Sequence, residues 1–326
     1  MKKLLFAALL GATLTASAQQ PAQPTNRYAM KLTQQADGTY ELTNRARYAR
    51  IVDLSQIDDL LKPYTYQRDR LQSRDYKGVE VREFIYTTHE GYELQIAVDM
   101  AQSDTPTPVV FYVHGGGWSR GNNGTFRTLS QYMAKQKGVT GVRIAYTLAP
   151  QPGADVRVSI ADIKAAVQYV RDHAEELNID PRRMGFVGNS AGAHLAAVGA
   201  MTTPEAKALV GTSGIYDLET AAICQKTKDA QRIGYFCGRD PKILREASPI
   251  ALIPKKKAPA ALLFCGTADI TVECTQSQGF ADALRRRGAK ADLQVYENYD
   301  HNLSAKASDK MEEVFFKTVD FLAENL

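Results

Sequence analysis

From residue 80 onward, short apolar runs alternate with stretches of helical periodicity, and this alternation constrains the fold most. The strand-like runs are Val81–Tyr86, Tyr92–Val98, Val109–Val113, Gly141–Tyr146, Gly185–Gly188, Ala208–Thr212, Ala260–Phe264 and Asp292–Tyr296. Helical patterns fall at Thr125–Gln136, Ser159–Leu177, Ser190–Met201, Ser277–Arg287 and Ala307–Leu326. Strands that take turns with helices predict an α/β fold with a mostly parallel sheet, here of eight strands, flanked by helices. Only Glu90-Gly91 separates the first two strands, so they should pair antiparallel. Residues 214–257 break the alternation and show no clear strand, which predicts a small cap. A chain of 326 residues with 44% hydrophobic and 23% charged content can bury a large core without staples. That composition excludes a disordered chain, a collagen-like fibre and a coiled coil. The net charge of +4 is mild, and no basic stripe interleaved with aromatics marks a nucleic-acid partner.

The N-terminus has its own logic. Lys2 and Lys3 precede the apolar run Leu4–Leu10, and Ala16-Ser17-Ala18 fits the small-residue cleavage rule. Residues 1–18 therefore read as a secretory signal peptide cleaved after Ala18, which predicts a secreted or periplasmic protein. The run is too short to span a bilayer, and no later run is long enough. Residues 19–79 form an N-terminal extension. It comprises a polar leader over 19–26, a hairpin over Tyr28–Thr43 around Asp37-Gly38, and a short helix over Val52–Leu61.

Gly188-Asn189-Ser190-Ala191-Gly192 matches G-x-S-x-G between a strand and a helix, the context in which such a serine stands on a sharp turn. His114-Gly115-Gly116-Gly117-Trp118 follows the strand Val109–Val113. Glycines there let backbone N–H groups face a cavity and hold a developing oxyanion. Gly116, Gly117 and Ala191 are the expected donors. Ser190 needs a base. Of the five histidines, His301 follows the last strand, where this class of fold places it. His114 belongs to the glycine loop, His194 sits one helical turn after Ser190, His89 lies in a hairpin turn and His173 on a helix face. Asp269, on the loop after Ala260–Phe264, is the expected acid, with Asp300 and Glu273 as rivals. Trp118 either flanks the substrate or packs in the core. Cys224, Cys237, Cys265 and Cys274 allow three pairings; export favours at least one disulfide, and nearest-neighbour pairing gives Cys224–Cys237 and Cys265–Cys274. Their spacing does not suit a metal.

With these residues in view, the chain resembles the α/β-hydrolases of the hormone-sensitive-lipase-like group. It is most similar to bacterial acetyl and feruloyl esterases that act on decorated polysaccharides. The resemblance runs from about residue 80 to the C-terminus. It rests on His114–Trp118, Tyr146-Thr147-Leu148-Ala149-Pro150, Gly188–Gly192 with His194, Ala247-Ser248-Pro249-Ile250, Gly266–Asp269 and His301. Thr147 stands where the group usually has Arg, Asn189 where an acidic residue is common, Ala193 where many members have Gly, and Asp300 at a frequent Gly position. The resemblance implies a Ser190–Asp269–His301 triad, an acyl-enzyme route with no cofactor or metal, and a small-molecule or oligosaccharide ester substrate. An amidase or peptidase on the same fold, and a non-catalytic binding protein, are the alternatives.

Overall fold

The computed structural model describes residues 30–34, 36, 40–44, 49–52, 77–303 and 309–326. The expected signal peptide, leader and short helix over Val52–Leu61 lie outside the described residues, apart from Val52 itself. Two compact units divide the chain, Met1–Leu60 and Leu61–Leu326. The first holds a three-stranded antiparallel sheet of β1 (Met30–Gln34), β2 (Tyr40–Asn44) and β3 (Ala49–Val52). β1 and β2 pair in the register Met30↔Asn44 to Gln34↔Tyr40, the pairing a hairpin around Asp37-Gly38 requires. β3 was not expected from the sequence; four residues are too few to show a period.

The second unit is built on eight strands. They are β4 (Val81–His89), β5 (Tyr92–Asp99), β6 (Thr107–Val113), β7 (Thr140–Ile144), β8 (Ile179–Asn189), β9 (Ala206–Thr212), β10 (Ala260–Gly266) and β11 (Ala291–Tyr296). Their order is β11-β10-β9-β8-β6-β7-β5-β4. β5 pairs antiparallel with both β4 and β7, and the remaining pairs are parallel. The antiparallel first hairpin is thus as the short Glu90-Gly91 turn demands.

Central strands of such a sheet are covered on both faces, which is why β6 reads as an unbroken apolar run. Six of its seven residues, all but Pro108, are buried. On one face Phe111 stacks on Phe186 of β8 at 5.1 Å between ring centroids. Truncating such a ring to Ala costs about 3–5 kcal/mol. The helices are α1 (Arg127–Lys137), α2 (Val156–Asp172), α3 (Ala191–Thr202), α8 (Cys274–Arg286) and α9 (Asp309–Asn325), with four short ones between α3 and α8. The amphipathic α2 starts three residues before the predicted Ser159. Asp155 caps it, its carboxylate accepting from the backbone of Arg157 and Val158. α3 is apolar on all sides because it is buried on all sides. Its small residues let it press on the sheet, and a Cβ at Gly199 would stand 2.7 Å from the Phe186 ring.

Segment 214–257 holds α4 (Ala222–Gln225), α5 (Ala230–Tyr235), a 3-10 turn, α6 (Pro241–Glu246) and α7 (Pro249–Leu252), and no strand. Its side chains are not surface cover alone. Tyr216, Leu218, Tyr235, Phe236 and Leu244 are buried in the same core as β5, β6 and α3. Tyr216 lies flat on Phe280 of α8 at 4.4 Å.

Candidate active site

β8 ends in Asn189, and α3 begins at Ala191. Ser190 between them has φ 54° and ψ −126°. A side chain pays for positive φ, and this backbone persists because its surroundings hold it. The Ser190 N–H donates to Thr212 O at 2.8 Å, and the Ser190 carbonyl accepts from Ala193 and His194. Glycines permit the turn: a Cβ at Gly188 would stand 2.2 Å from Gly192 O, and one at Gly192 would stand 2.1 Å from Val113 O.

The Ser190 hydroxyl is 2.9 Å from His301 Nε2, and His301 Nδ1 is 2.7 Å from Asp269 Oδ2. With Nδ1–H given to the carboxylate, Nε2 is left to accept the serine proton. Asp269 is buried, and its other oxygen accepts from the backbone N–H groups of Thr271 and Val272 at 2.8 and 2.9 Å. The carboxylate is therefore fixed in place and already charge-compensated before it meets the imidazole. Asp300 instead accepts from Asn302 N–H and shapes the histidine loop, while Glu273 occupies the position before α8. Of the three acids weighed from sequence, Asp269 faces the ring.

The glycine loop leaves β6 beside this chain of hydrogen bonds. Gly116 (φ 118°) and Gly117 (φ 62°) both use left-handed backbone. A Cβ at Gly116 would collide with Arg120 O at 2.0 Å. Ala191 opens α3, where the helix dipole also favours negative charge. Asn189, a departure from the usual pattern, ties the two parts together: its Oδ1 accepts the Gly115 N–H at 2.9 Å. The residue is plain in the sequence, but this role is not, because its partner lies 74 residues away.

Of the two places open to Trp118, it takes the core, which corrects the substrate-contact alternative. It is fully buried, with Phe236 edge-on at 5.0 Å and Tyr235 at 6.2 Å. Its indole N–H donates to His194 Nδ1 at 3.2 Å. His194 Nε2–H in turn donates to Ala247 O at 2.9 Å, and burial pushes this imidazole down to about 4, so it is neutral. His194 thereby joins the glycine loop, α3 and the segment before α7. His114 is also structural: Nδ1–H donates to Gly115 O, the ring stacks on Tyr146, and burial lowers its pKa. Tyr146 donates to His114 O, and Thr147, buried, donates its N–H to Asp162.

The cysteines bring a second correction. Cys265 and Cys274 form a disulfide that closes the loop carrying Asp269, but Cys224 and Cys237 are free thiols. Cys224 is buried in the core, whereas Cys237 faces Asp155 and Arg157 at the start of α2. Closeness in sequence does not bring them together: Cys224 lies within α4, Cys237 opens the 3-10 turn, and α5 stands between. Among the described residues no group of His, Cys, Asp and Glu could hold a metal, and no helix is long and apolar enough to cross a membrane.

Comparison with known proteins fits this geometry. The sequence matches the BD-FAE family over residues 94–284, a stretch that includes the glycine loop, Ser190 and Asp269. It is 28% identical over 217 residues to the probable isoprenylcysteine alpha-carbonyl methylesterase ICMEL1 of Oryza sativa subsp. japonica, covering 60% of this chain and 50% of that protein. It is 27% identical over 201 residues to Esterase LipC of Mycobacterium tuberculosis, covering 55% and 49%. The chain thus spans about half the length of the curated relatives it matches. The apo form of Thermogutta terrifontis esterase 2 superposes with a TM-score of 0.64 at 26% identity, over 77% of this chain and 96% of that one. The same esterase phosphorylated by paraoxon gives 0.62 at 24%, over 77% and 95%. With its eight-stranded, mostly parallel sheet and its serine on a strand–helix turn, the chain belongs to the BD-FAE family and has the α/β-hydrolase fold.

Proposed function

We propose that the protein is a serine carboxylic-ester hydrolase. The observation that carries this reading is the Asp269–His301–Ser190 hydrogen-bond chain set beside the Gly116-Gly117 loop. His301 Nε2 takes the Ser190 proton as Oγ attacks the ester carbonyl. The carbonyl oxygen becomes an oxyanion held by the N–H groups of Gly116, Gly117 and Ala191. One such donor is worth roughly 3–4 kcal/mol of barrier. The tetrahedral species collapses, the C–O bond to the alcohol breaks, and His301 returns the proton to the leaving oxygen. Water, deprotonated by His301, then attacks the acyl-enzyme and releases the acid and free Ser190.

The substrates we infer are short or aromatic acyl esters, acetyl and feruloyl groups on polysaccharides among them. The sequence resemblance supports this class, and the esterase and methylesterase names of the relatives support ester over amide. We also infer export. The N-terminal Lys-Lys-apolar pattern supports it, and so does the Cys265–Cys274 bond, since oxidising compartments let disulfides persist.

The test is hydrolysis of p-nitrophenyl acetate, butyrate and a long-chain ester by wild type and Ser190→Ala. Turnover that favours the short chains and falls by about 10⁴-fold or more in the variant is expected. Paraoxon should inactivate wild type. Faster cleavage of an anilide than of the matching ester would replace the esterase reading with an amidase, and no turnover of any ester by folded protein would remove it. Acetylated and feruloylated oligosaccharides then test the finer class.

A further inference from the structure

α5 carries a cation to the edge of the glycine loop. A Cβ built on Gly117 would stand 2.8 Å from Arg232 Nη2 and 3.7 Å from its Cζ, so the guanidinium lies directly against that backbone. The side chain is half-buried, and its Nε is fully buried with no hydrogen-bond partner. Among the described residues no carboxylate pairs with it. A guanidinium cannot shed its proton, so a half-buried one without an acceptor is costly unless something else supplies the acceptor. Its placement is not accidental slack. The two residues that end the same helix and follow it, Tyr235 and Phe236, are locked against Trp118, the residue after Gly117.

We propose that Arg232 is a specificity-determining residue that binds a carboxylate of the substrate, so that the preferred esters carry an anionic group close to the scissile carbonyl. A carboxylate matches the planar fork of a guanidinium and would give the idle N–H groups their acceptors. The position beside Gly117 places that carboxylate next to the reacting carbonyl, on the acyl or the alcohol side. This inference rests on the serine-esterase reading for its catalytic part only; the anion site itself does not need turnover.

Two ester pairs test it: methyl hydrogen succinate against methyl butyrate, with the charge on the acyl side, and 4-acetoxybenzoate against phenyl acetate, with the charge on the alcohol side. The measured quantity is the charged-to-neutral ratio of kcat/KM. In one pair, Arg232→Gln should lower that ratio by about tenfold to a hundredfold, the range for a hydrogen bond to a charged group. Arg232→Lys keeps the charge without the fork and should fall between. The responding pair identifies the side. Ratios within twofold of wild type in both pairs would overturn the proposal and leave Arg232 as, at most, a general aid to the oxyanion. Calorimetric titration of succinate and of 4-hydroxybenzoate into wild type and Arg232→Gln reads the site without chemistry. Binding that the variant loses is expected, and equal binding, or none by wild type, overturns the proposal. If wild type cleaves no ester yet binds the anion through Arg232, the esterase reading alone fails. Should Arg232→Gln not fold, by circular dichroism, Arg232→Lys carries both measurements.

Discussion

Asn189 illustrates how one residue can be plain in sequence and opaque in role. It stands between a strand and the nucleophile, and its side-chain oxygen holds the Gly115 N–H at 2.9 Å. Its contact is with the loop that carries the proposed oxyanion donors, so on that reading it acts by positioning. Asn189→Ala leaves that N–H without its partner, at a cost of about 1–3 kcal/mol. We expect kcat on p-nitrophenyl acetate to drop roughly tenfold to a hundredfold with little change in KM. Asn189→Asp keeps the acceptor and should recover most of the rate, which a merely packed side chain would not require. The three members of the Ser190–His301–Asp269 hydrogen-bond chain were legible because strand–turn–helix context and chain order restrict each of them. Arg232 was not, since nothing in the spacing of an isolated arginine says that its fork meets a glycine.

At the scale of elements, long periodic segments were readable and short ones were not. β6, β8 and α3 carry apolar patterns long enough to declare themselves, and their ends moved by only a few residues except at the start of β8. α4 to α7 are four to six residues each, below the length at which a helical period shows. Hence segment 214–257 read as a cap, and its aromatic residues proved to be core. Disulfide pairing was legible for one bond only, because sequence separation does not fix the direction of a side chain. The Cys265–Cys274 bond ties the end of β10 to the start of α8, and Asp269 sits on the loop between. Closing a loop with a separation of nine residues is worth about 2–3 kcal/mol by chain entropy. Cys265→Ser/Cys274→Ser should therefore lower the urea midpoint, with kcat falling further than KM rises as the acid loosens. Unchanged stability and rate in the double variant would show the clamp to be idle.

Across the whole molecule, His194 ties three distant stretches through one neutral ring. Its ordinary pKa is near 6.5, and burial brings it to about 4 in the folded protein. The unfolded chain thus binds the extra proton between these values. Stability is complete above about pH 6.5 and declines as the pH falls toward 4, by about 3 kcal/mol for this ring. Urea unfolding of wild type across that window should show the decline. His194→Gln, less stable at neutral pH, should show a shallower slope; an equal slope would assign the acid sensitivity elsewhere.

The burial of Trp118 has an optical consequence. It is the only tryptophan in the chain, so the indole emission of the entire protein arises from one place, one residue beyond the glycine loop. That chromophore is dry, edge-on to Phe236 and bonded to a neutral imidazole. Its emission should be blue in the native state and should respond when a ligand shifts the loop or when acid charges His194. The molecule carries a reporter of its own site, and binding at Arg232 or at Ser190 can be followed by light without a label.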